Sequence, residues 1–341
     1  MQQERTACLA LHLYGKFLTE RVRRQYEIAG SVLSLARVLL AERCESALTA
    51  AASCQEGLKD CSTICLIDAD YPRLLAETDY APFALFIKGN RAIISDKLVS
   101  IVGTREPSDA GRQASAAIAT FYAQSGCTIV SGIARGVDSI AHHAALAAGG
   151  RTIAVLPNGF DHAYPLENRD LYAAAATSDR ILLVSEYPPE QKPQKHHFVR
   201  RNRIIAGLAE MTIFAEGNLK SGAMITANHA LKEGREVAAL ARGREDDEVI
   251  GGRIHADELS LLTPVRDGAC SRADGIFQQR GLRGTGDVGA ELGITEARHR
   301  QVLRHPQAAC TRLHQNAVGQ HVRAAHHSLQ AGVLGEQLAQ C

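Results

Sequence analysis

Six short apolar runs alternate with helix-like segments between residues 99 and 240, and this alternation limits the fold more than any other feature. The apolar runs are Val99–Val102, Thr128–Ser131, Thr152–Leu156, Ile181–Ser185, Met211–Ala215 and Val237–Leu240. The helix-like segments between them are Ala110–Gln124, Asp138–Ala148, Asn168–Ala176, Arg201–Ala209 and Ser221–Glu233. Strands that are covered on both faces are apolar throughout, and strand–helix alternation builds parallel sheets. We therefore predict an α/β fold with a doubly wound, mostly parallel sheet.

The residues before this alternation divide into two parts. Residues 1–65 carry apolar side chains at helical spacing, which predicts a small helical N-terminal domain. It is either a helix-hairpin-helix relative that contacts a nucleic-acid backbone or a packing or dimerisation module. Ala84–Lys88 reads as one further strand that leads into the main domain, which we place at residues 66–242.

Glycines and cations follow several of the predicted strands. They are Gly103, Thr104 and Arg105 after the first strand, Gly132, Arg135 and Gly136 after the second, and Lys220, Ser221 and Gly222 after the fifth. In doubly wound sheets, ligands bind outside the carboxyl ends of the strands. Backbone N–H groups of small residues, at the start of a helix, favour anions. The pattern predicts a phosphate-binding edge, although each loop alone is equally typical of a tight turn.

The most basic run of the main domain is Lys192–Arg203, and no acidic residue occurs from Gln191 to Ala209. It precedes the apolar sequence IIAGLA, which places it at the start of a helix on the same edge. The run also contains Phe198, an aromatic side chain of the kind that stacks on bases. Because charged runs are usually solvated surface, contact with a polyanion competes here with a plain surface role.

Composition and missing motifs exclude several classes of protein. A formal net charge of +1 gives no global attraction for nucleic acid or membrane, so a polyanion site has to be a local patch. The nine cysteines include no C-x-x-C pair, which favours reduced thiols in a cytoplasm. We find no signal peptide, membrane span or phosphate-binding Walker sequence, and we predict no metal, no cofactor and no catalytic residues.

Several long motifs occur together in one order. They are DADYPRLL, PFALFIKGN, VSIVGTREPSDAGRQ, TIVSGIARGVDSIAHHAAL, GGRTIAVLPNGFDHAYPLEN, SEYPP, FVRRNRIIAGL and SGAMITANHALKEGREV. In order and spacing they resemble the DprA/Smf family over about Asp68–Leu240. The resemblance implies an extended Rossmann-like domain, usually dimeric, in a bacterial cytoplasmic protein without established catalytic chemistry. It also implies binding of incoming single-stranded DNA, its protection, and loading of the RecA recombinase during natural transformation.

The resemblance also assigns residues to the DNA-binding edge. The family's DNA-contacting arginine corresponds to Arg105, and the same motifs place Arg135, Arg201, Asn202, Arg203 and Ser221 on one ridge. Many family members have a DNA-contacting lysine after the Tyr-Pro of the third loop. Leu166 stands at that position here, and Arg169 is the candidate to replace the lysine.

The similarity to the family ends at about Leu240, and the composition changes there. Residues 243–341 contain no lysine but half of the 14 histidines, which is typical of a change of reading frame. The segment ELGITEARHRQVL instead has the pattern of a winged-helix element, so a divergent C-terminal domain stays open. Two other functions also stay open: a nucleotide hydrolase on a related sheet, and a non-functional family product with a scrambled C-terminus.

Overall fold

The computed structural model describes residues 1–218 and 220–240, together with the two-residue strand Pro264–Val265. The chain begins with helices, as predicted. They are α1 (Gln2–Leu13), α2 (Glu20–Ala29), α3 (Val32–Leu40) and α4 (Cys44–Glu56). A two-stranded antiparallel ribbon lies beside them, formed by β1 (Phe17–Leu18) and β3 (Ala81–Pro82).

A central sheet contains nine strands within the described residues. They are β2 (Ser62–Cys65), β4 (Ala84–Gly89), β5 (Leu98–Val102), β6 (Thr128–Ser131), β7 (Thr152–Leu156), β8 (Ile181–Ser185), β9 (Met211–Phe214), β10 (Glu236–Ala239) and β11 (Pro264–Val265). Their order across the sheet is β11-β10-β9-β5-β6-β7-β8-β4-β2. The strands from β10 to β8 in that order are parallel to their neighbours. The pairs β8–β4, β4–β2 and β10–β11 are antiparallel. This arrangement confirms the predicted α/β class and the mostly parallel, doubly wound sheet.

Helices connect the parallel strands and cover both faces of the sheet. They are α6 (Asp109–Gln124), α7 (Val137–Ala147), α8 (Arg169–Ala174), α9 (Lys195–Leu208) and α10 (Gly222–Lys232), and the short α5 (Arg73–Glu77) precedes β3. Helix α9 begins six residues earlier than the segment Arg201–Ala209 predicted from the sequence. Because of this earlier start, most of the basic run lies within the helix rather than in a loop.

The direction of chain winding reverses between β5 and β9. From β5 the chain proceeds through β6, β7 and β8 to one side, and it then crosses back to β9 and β10 on the other side. In open α/β sheets such a reversal leaves a crevice outside the carboxyl ends of the two strands. The loops after β5 and β9 therefore meet where a nucleotide would be expected to bind in a doubly wound sheet.

The N-terminal helices share a buried cluster with one part of the sheet. Leu9 and Leu11 of α1 are fully buried in the same apolar cluster as Phe83, Phe86 and Leu183. A second cluster packs α6 and α7 against the other part of the sheet, around Ile101, Ile118 and Ile213. The division of the chain at residue 65 into two domains stays a prediction.

The turn between α2 and α3 bears on the helix-hairpin-helix interpretation. Gly30 ends α2 with a φ of 71°, and Ser31 caps α3 through a hydrogen bond from the N–H of Ser34. The N–H groups of Val32 and Leu33 both donate to the Glu4 carboxylate, at 2.8 and 3.2 Å. The chain's own carboxylate thus occupies the amides that a DNA phosphate would need. We therefore favour the packing interpretation of residues 1–65.

The predictions for residues 243–341 lie outside the described residues, apart from Pro264–Val265. That strand pairs with β10, where Val237 is opposite Val265. Within the described residues, no helix combines the length and the apolar character that a bilayer span requires.

Candidate nucleic-acid interface

Four loops at the carboxyl ends of the parallel strands are hydrogen-bonded into one surface. We call it the loop edge and define it as residues 103–108, 132–136, 164–169, 216–218 and 220–222. The N–H of Thr104 donates to the Glu216 carbonyl oxygen at 2.7 Å, and the N–H of Val137 donates to the Thr104 carbonyl oxygen at 3.1 Å. The Asn168 amide donates to the carbonyl oxygen of Ile133 at 2.8 Å. The sequence-predicted loops are therefore brought together as one connected edge.

Three glycines are required where these loops touch. Gly136 has a φ of 74°, and a Cβ atom there would lie 2.4 Å from the Thr104 carbonyl oxygen. At Gly132 a Cβ would lie 2.6 Å from the guanidinium of Arg201 and 2.7 Å from the carboxylate of Asp138. These positions fix the close approach of the loops, so their glycines serve the geometry of the edge. Gly103 packs in the same way against Val137.

Arg105 is the exposed cation at the middle of the loop edge. Its guanidinium carbon lies 5.5 Å from the centroid of the Phe198 ring. A guanidinium can stack by its face on a ring while its N–H groups point outward in the plane. Arg105 is therefore positioned to donate hydrogen bonds to an anion at the surface.

The start of α10 provides a second anion-binding position. The Ser221 hydroxyl caps the helix by accepting from the N–H of Met224 at 3.2 Å. Among the described residues nothing lies within 4 Å of the Cβ position at Gly222, so none of them fills the space above this helix start. Lys220 is exposed directly before it. A helix N-terminus with open space and an adjacent lysine suits a phosphate group.

Arg135 and Arg169 are exposed at the other end of the loop edge. The guanidinium of Arg135 forms an ion pair with the Glu167 carboxylate at 2.7 Å, and more than half of each side chain is exposed. Such exposed pairs contribute at most about 1 kcal/mol, so an incoming phosphate can replace the carboxylate. Leu166, at the position where the resemblance implies a lysine, is 70% exposed and supplies no charge.

The sequence placed Arg201, Asn202 and Arg203 on the DNA-contacting ridge, and the structure places them beneath or beside it. The buried Arg201 guanidinium donates to the carbonyl oxygens of Gly132 and Val155. Burial lowers the pKa of Arg201 to about 10, an effect that the carboxylate of Asp138 partly opposes. Arg201 therefore supports the second loop from below and does not present its charge to a ligand.

The other two residues of this group also have protein partners. The Asn202 amide donates to the Gly222 carbonyl oxygen at 3.0 Å, which ties α9 to the start of α10. Arg203 forms an ion pair with the buried Glu186 carboxylate, and only 13% of its side chain is exposed. Its guanidinium carbon also lies 5.1 Å from the Phe17 ring centroid. Both side chains hold elements together, which corrects the surface role expected from the motif.

Glu216 occupies the crevice between β5 and β9. Its nearly buried carboxylate accepts from the Ser108 N–H at 3.0 Å and from the Ser108 hydroxyl at 3.2 Å. The Ser108 hydroxyl in turn caps α6 by accepting from the N–H of Gly111. A Cβ at Gly111 would lie 1.6 Å from a Glu216 oxygen, so the carboxylate rests directly on the first turn of α6. The position that a nucleotide phosphate would take in a doubly wound sheet is thus filled by a side chain of the chain itself.

Two further observations concern the nucleotide-hydrolase alternative. A glycine spacing typical of dinucleotide sites does occur in the chain, at Gly284, Gly286 and Gly289, but it lies outside the described residues. The described part of the chain contains no group of three or more side chains arranged to hold a metal ion.

One constellation that the sequence did not reveal is a serine–histidine–aspartate group at the surface. The Ser139 hydroxyl lies 3.4 Å from His143 Nδ1, and His143 Nε2 lies 2.7 Å from the Asp170 carboxylate. However, Nδ1 is closer to the Ser139 carbonyl oxygen, at 2.7 Å, and the hydroxyl donates to the Asn168 side-chain oxygen at 2.6 Å. A histidine whose Nδ1 donates to a carbonyl cannot take the serine proton. The group therefore links α7 to α8 instead of forming an activated nucleophile.

The described fold and loop edge define a Rossmann-like α/β protein with exposed cations along the carboxyl ends of its parallel strands. Residues 62–259 match the family model of DNA recombination-mediator protein A, and this match covers more than half of the chain. The chain therefore belongs to the DNA recombination-mediator protein A family. The predicted resemblance to DprA/Smf proteins is confirmed, and the family match continues 19 residues beyond Leu240, where the motif-by-motif similarity ends.

Three relatives support the same assignment. The chain is 43% identical over 194 residues to the DNA processing protein DprA of Bacillus subtilis, covering 57% of this chain and 64% of that protein. It is 42% identical over 257 residues to protein Smf of Synechocystis, covering 70% of this chain and 64% of that protein. The X-ray structure of DNA processing protein A from Streptococcus pneumoniae is 30% identical, with a TM-score of 0.59. That likeness covers 72% of this chain and 87% of the solved one. The chain thus spans less than two thirds of the length of these first two relatives.

Proposed function

We propose that this protein binds single-stranded DNA along the loop edge, protects it, and loads the RecA recombinase on it during natural transformation. It acts as a binding protein without a cofactor or catalytic step, as a homodimer in the bacterial cytoplasm. Backbone phosphates lie against Arg105, against Lys220 with the open start of α10, and against Arg135 and Arg169.

The observation that carries this proposal is the position of the exposed cations on one connected edge. The formal net charge of the chain is only +1, so these cations are not part of a uniformly basic surface. A row of exposed cations along one edge suits a continuous polyanion better than a small ligand. Membership of a family of recombination mediators agrees with DNA as that polyanion.

A nucleotide-hydrolase function has less support, because Glu216 fills the crevice where a nucleotide phosphate would bind. A thermal-shift assay separates the two functions. We expect oligo-dT to raise the melting temperature of the protein and AMP or NAD to leave it unchanged. The reverse result would favour the nucleotide hydrolase.

The site is tested by reversing one charge at each end of strand β5. Arg105 follows the carboxyl end of β5, and the exposed Lys97 directly precedes its amino end. We expect Arg105→Glu to weaken binding to oligo-dT at least about tenfold, because a charge-assisted hydrogen bond is lost and a repulsion is added. Lys97→Glu changes the net charge equally and should leave the affinity within about twofold. An unchanged affinity in Arg105→Glu would refute the placement of the site.

The role of residues 267–341 is tested by truncation. Pro264–Val265 pairs with β10, so a chain that ends after Arg266 keeps this strand. If residues 243–341 are a scrambled extension, removal of residues 267–341 will leave oligo-dT binding and RecA loading unchanged. A loss of RecA loading with intact DNA binding would instead assign the partner surface to those residues.

A further inference from the structure

An arginine, a phenylalanine and a tyrosine from three parts of the chain meet where α9 contacts the ribbon of β1 and β3. The guanidinium carbon of Arg200 lies 4.5 Å from the centroid of the Phe17 ring. The Tyr80 ring meets the Phe17 ring edge to face, with centroids 6.3 Å apart and an interplanar angle of 67°. Phe17 lies in β1, Tyr80 directly precedes β3, and Arg200 belongs to α9. The sequence separates these residues widely, and only the fold brings them together.

The same three residue types make the same contacts beside the loop edge. There the Arg105 guanidinium lies near the Phe198 ring, and the Tyr164 ring meets that ring edge to face with centroids 5.7 Å apart. Helix α9 contributes to both groups, through Phe198 in one and Arg200 in the other. With 3.6 residues per turn, these two positions lie on either side of an exposed stripe of the helix. The residues of that stripe are Lys195, His196 and Val199.

Arg200 carries a charge that its protein neighbours do not fully neutralise. The buried Glu186 carboxylate already forms an ion pair with Arg203. The Nε atom of Arg200 lies 3.6 Å from the same carboxylate, which is longer than a hydrogen bond, and 39% of the Arg200 side chain is exposed. Two guanidinium groups thus share one carboxylate. Because a guanidinium above a ring can still donate from its N–H groups, Arg200 is able to bind a phosphate.

Tyr80 presents an aromatic ring that the core does not cover. The residue is 53% exposed, and its φ of 65° lies in the left-handed region that residues other than glycine rarely adopt. Backbone conformations of this kind are concentrated at ligand-binding positions, and burial does not account for it at a half-exposed residue. An exposed ring beside an incompletely neutralised cation suits a nucleobase and its phosphate.

We infer that Arg200 and Tyr80 form a second contact for single-stranded DNA, in which Arg200 binds a backbone phosphate and the Tyr80 ring stacks on an unpaired nucleobase. The DNA reaches this contact from the loop edge across the exposed stripe of α9. This inference rests on the proposed function, because it extends the strand whose phosphates lie against Arg105. It gives residues 1–65 a part in DNA binding through Phe17, which supports both side chains, and not through the turn between α2 and α3.

The first test compares short and long oligo-dT, because only a long oligomer can occupy both contacts. The lengths run from about 4 to 16 nucleotides, the range of site sizes of small single-strand-binding domains. Tyr80→Asn removes the ring and keeps a residue that adopts a positive φ readily. We expect this variant to bind the longest oligomer roughly 5- to 150-fold more weakly, the range for stacking of one base, and the shortest one unchanged. Equal effects at all lengths, including no effect, would overturn the second contact.

An abasic version of the longest oligomer separates stacking from charge, because it has the sugar-phosphate backbone without the bases. Tyr80→Asn should not change its binding. Arg200→Gln should weaken binding of both versions and lower the salt slope by about 0.7, the value for one phosphate of a single strand. The matched control is Arg180→Gln, because Arg180 is also exposed but directly precedes the amino end of β8, at the opposite edge of the sheet. Equal effects of the two glutamine variants would refute the phosphate contact.

The two proposals can fail separately in this design. If Arg105→Gln leaves the affinity for every oligomer unchanged, the placement of DNA on the loop edge is wrong, and the path across α9 is wrong with it. If Arg105→Gln weakens binding at all lengths while Tyr80→Asn and Arg200→Gln have no effect, the loop edge stands and the second contact is refuted.

A tryptophan at position 80 gives a readout that does not depend on affinity. The chain contains no tryptophan, so Tyr80→Trp introduces a single fluorophore. We expect the longest oligo-dT to change the emission of this variant strongly, and its abasic version, at saturation, to change it little. Phe121→Trp is the matched control, because Phe121 also forms an edge-to-face aromatic pair, with Tyr122 at 5.3 Å, near the C-terminal end of α6. Equal responses of the two variants to the longest oligo-dT would overturn the inference.

Discussion

Replacing Glu216 tests whether the chain itself fills the anion position at the start of α6. In Glu216→Ala the Ser108 N–H and hydroxyl lose the carboxylate that they contact at 3.0 and 3.2 Å. A net hydrogen bond to a charged group contributes about 1.5–3 kcal/mol, and water will partly replace it at this nearly buried position. We expect the free energy of unfolding to fall by about 3 kcal/mol in total. For a domain of this size, that lowers the melting temperature by about 6–12 °C.

The vacated position should bind small carboxylates. Acetate or formate at ten times its dissociation constant would restore about 1.4 kcal/mol to Glu216→Ala, which is a rise of about 3–6 °C in melting temperature. The assay is a thermal melt with increasing sodium acetate, with sodium chloride at matched ionic strength as the reference. The wild-type protein should show no rise beyond the chloride reference, because Glu216 already occupies the position.

The exposed Glu106 of the same loop provides the control. Glu106→Ala should change the free energy of unfolding by less than about 0.5 kcal/mol and should show no response to acetate. The reasoning would be refuted if acetate raised the melting temperatures of the wild-type and Glu216→Ala proteins equally. It would also be refuted if Glu216→Ala were as stable as the wild type.

Three further predictions concern residues within or near the loop edge. Gly136→Ala should lower the free energy of unfolding by more than about 2 kcal/mol and weaken DNA binding, because the new Cβ would lie 2.4 Å from a carbonyl oxygen. Gly149→Ala is the control: Gly149 has a φ of 78° but no described atom within 4 Å, so this variant should cost only about 1–2 kcal/mol in denaturant melts. Arg201→Met should cost about 3–5 kcal/mol in urea unfolding, since it leaves the Asp138 carboxylate buried without the Arg201 charge that favours its ionised form; an unchanged urea midpoint would contradict this. Burial lowers the pKa of His142 to about 3. Below about pH 6.5 the unfolded chain therefore binds a proton at this histidine that the folded chain does not bind, so the free energy of unfolding decreases as the pH falls. Between pH 7 and pH 5 this loss is about 2 kcal/mol in the wild type, and in His142→Gln the pH dependence of unfolding should be smaller by that amount.

The strands and helices of the main domain could be predicted closely from the sequence. Buried parallel strands such as Thr152–Leu156 are continuous apolar runs bounded by turns, so their limits agree with the structure. The strand Ser62–Cys65 was missed because it is short and follows a helical pattern directly. The start of α9 was placed six residues late, because the charges of its first turns resemble those of a loop.

The candidate site was predictable in outline but not in the roles of single residues. The sequence predicts that the cations of the loop edge lie together, because they follow strands of one parallel sheet. Arg105 is exposed as expected. The sequence does not predict the ion pair between Arg203 and Glu186, because the two residues lie 17 positions apart in different parts of the fold. Nor does it predict that Tyr164 meets Phe198, since that contact depends on how the third loop folds back over α9. Roles that depend on burial or on tertiary partners require the folded chain.

The salt dependence of oligo-dT binding tests the central claim most directly, because its slope counts the phosphates that are neutralised. We predict that Arg105→Gln and Lys220→Gln each lower the slope of log K against log salt concentration by about 0.7, the value for one phosphate of a single strand. Arg203→Gln should leave the slope unchanged, because that guanidinium is already paired with Glu186. A lower slope in Arg203→Gln, with unchanged slopes in Arg105→Gln and Lys220→Gln, would contradict the account.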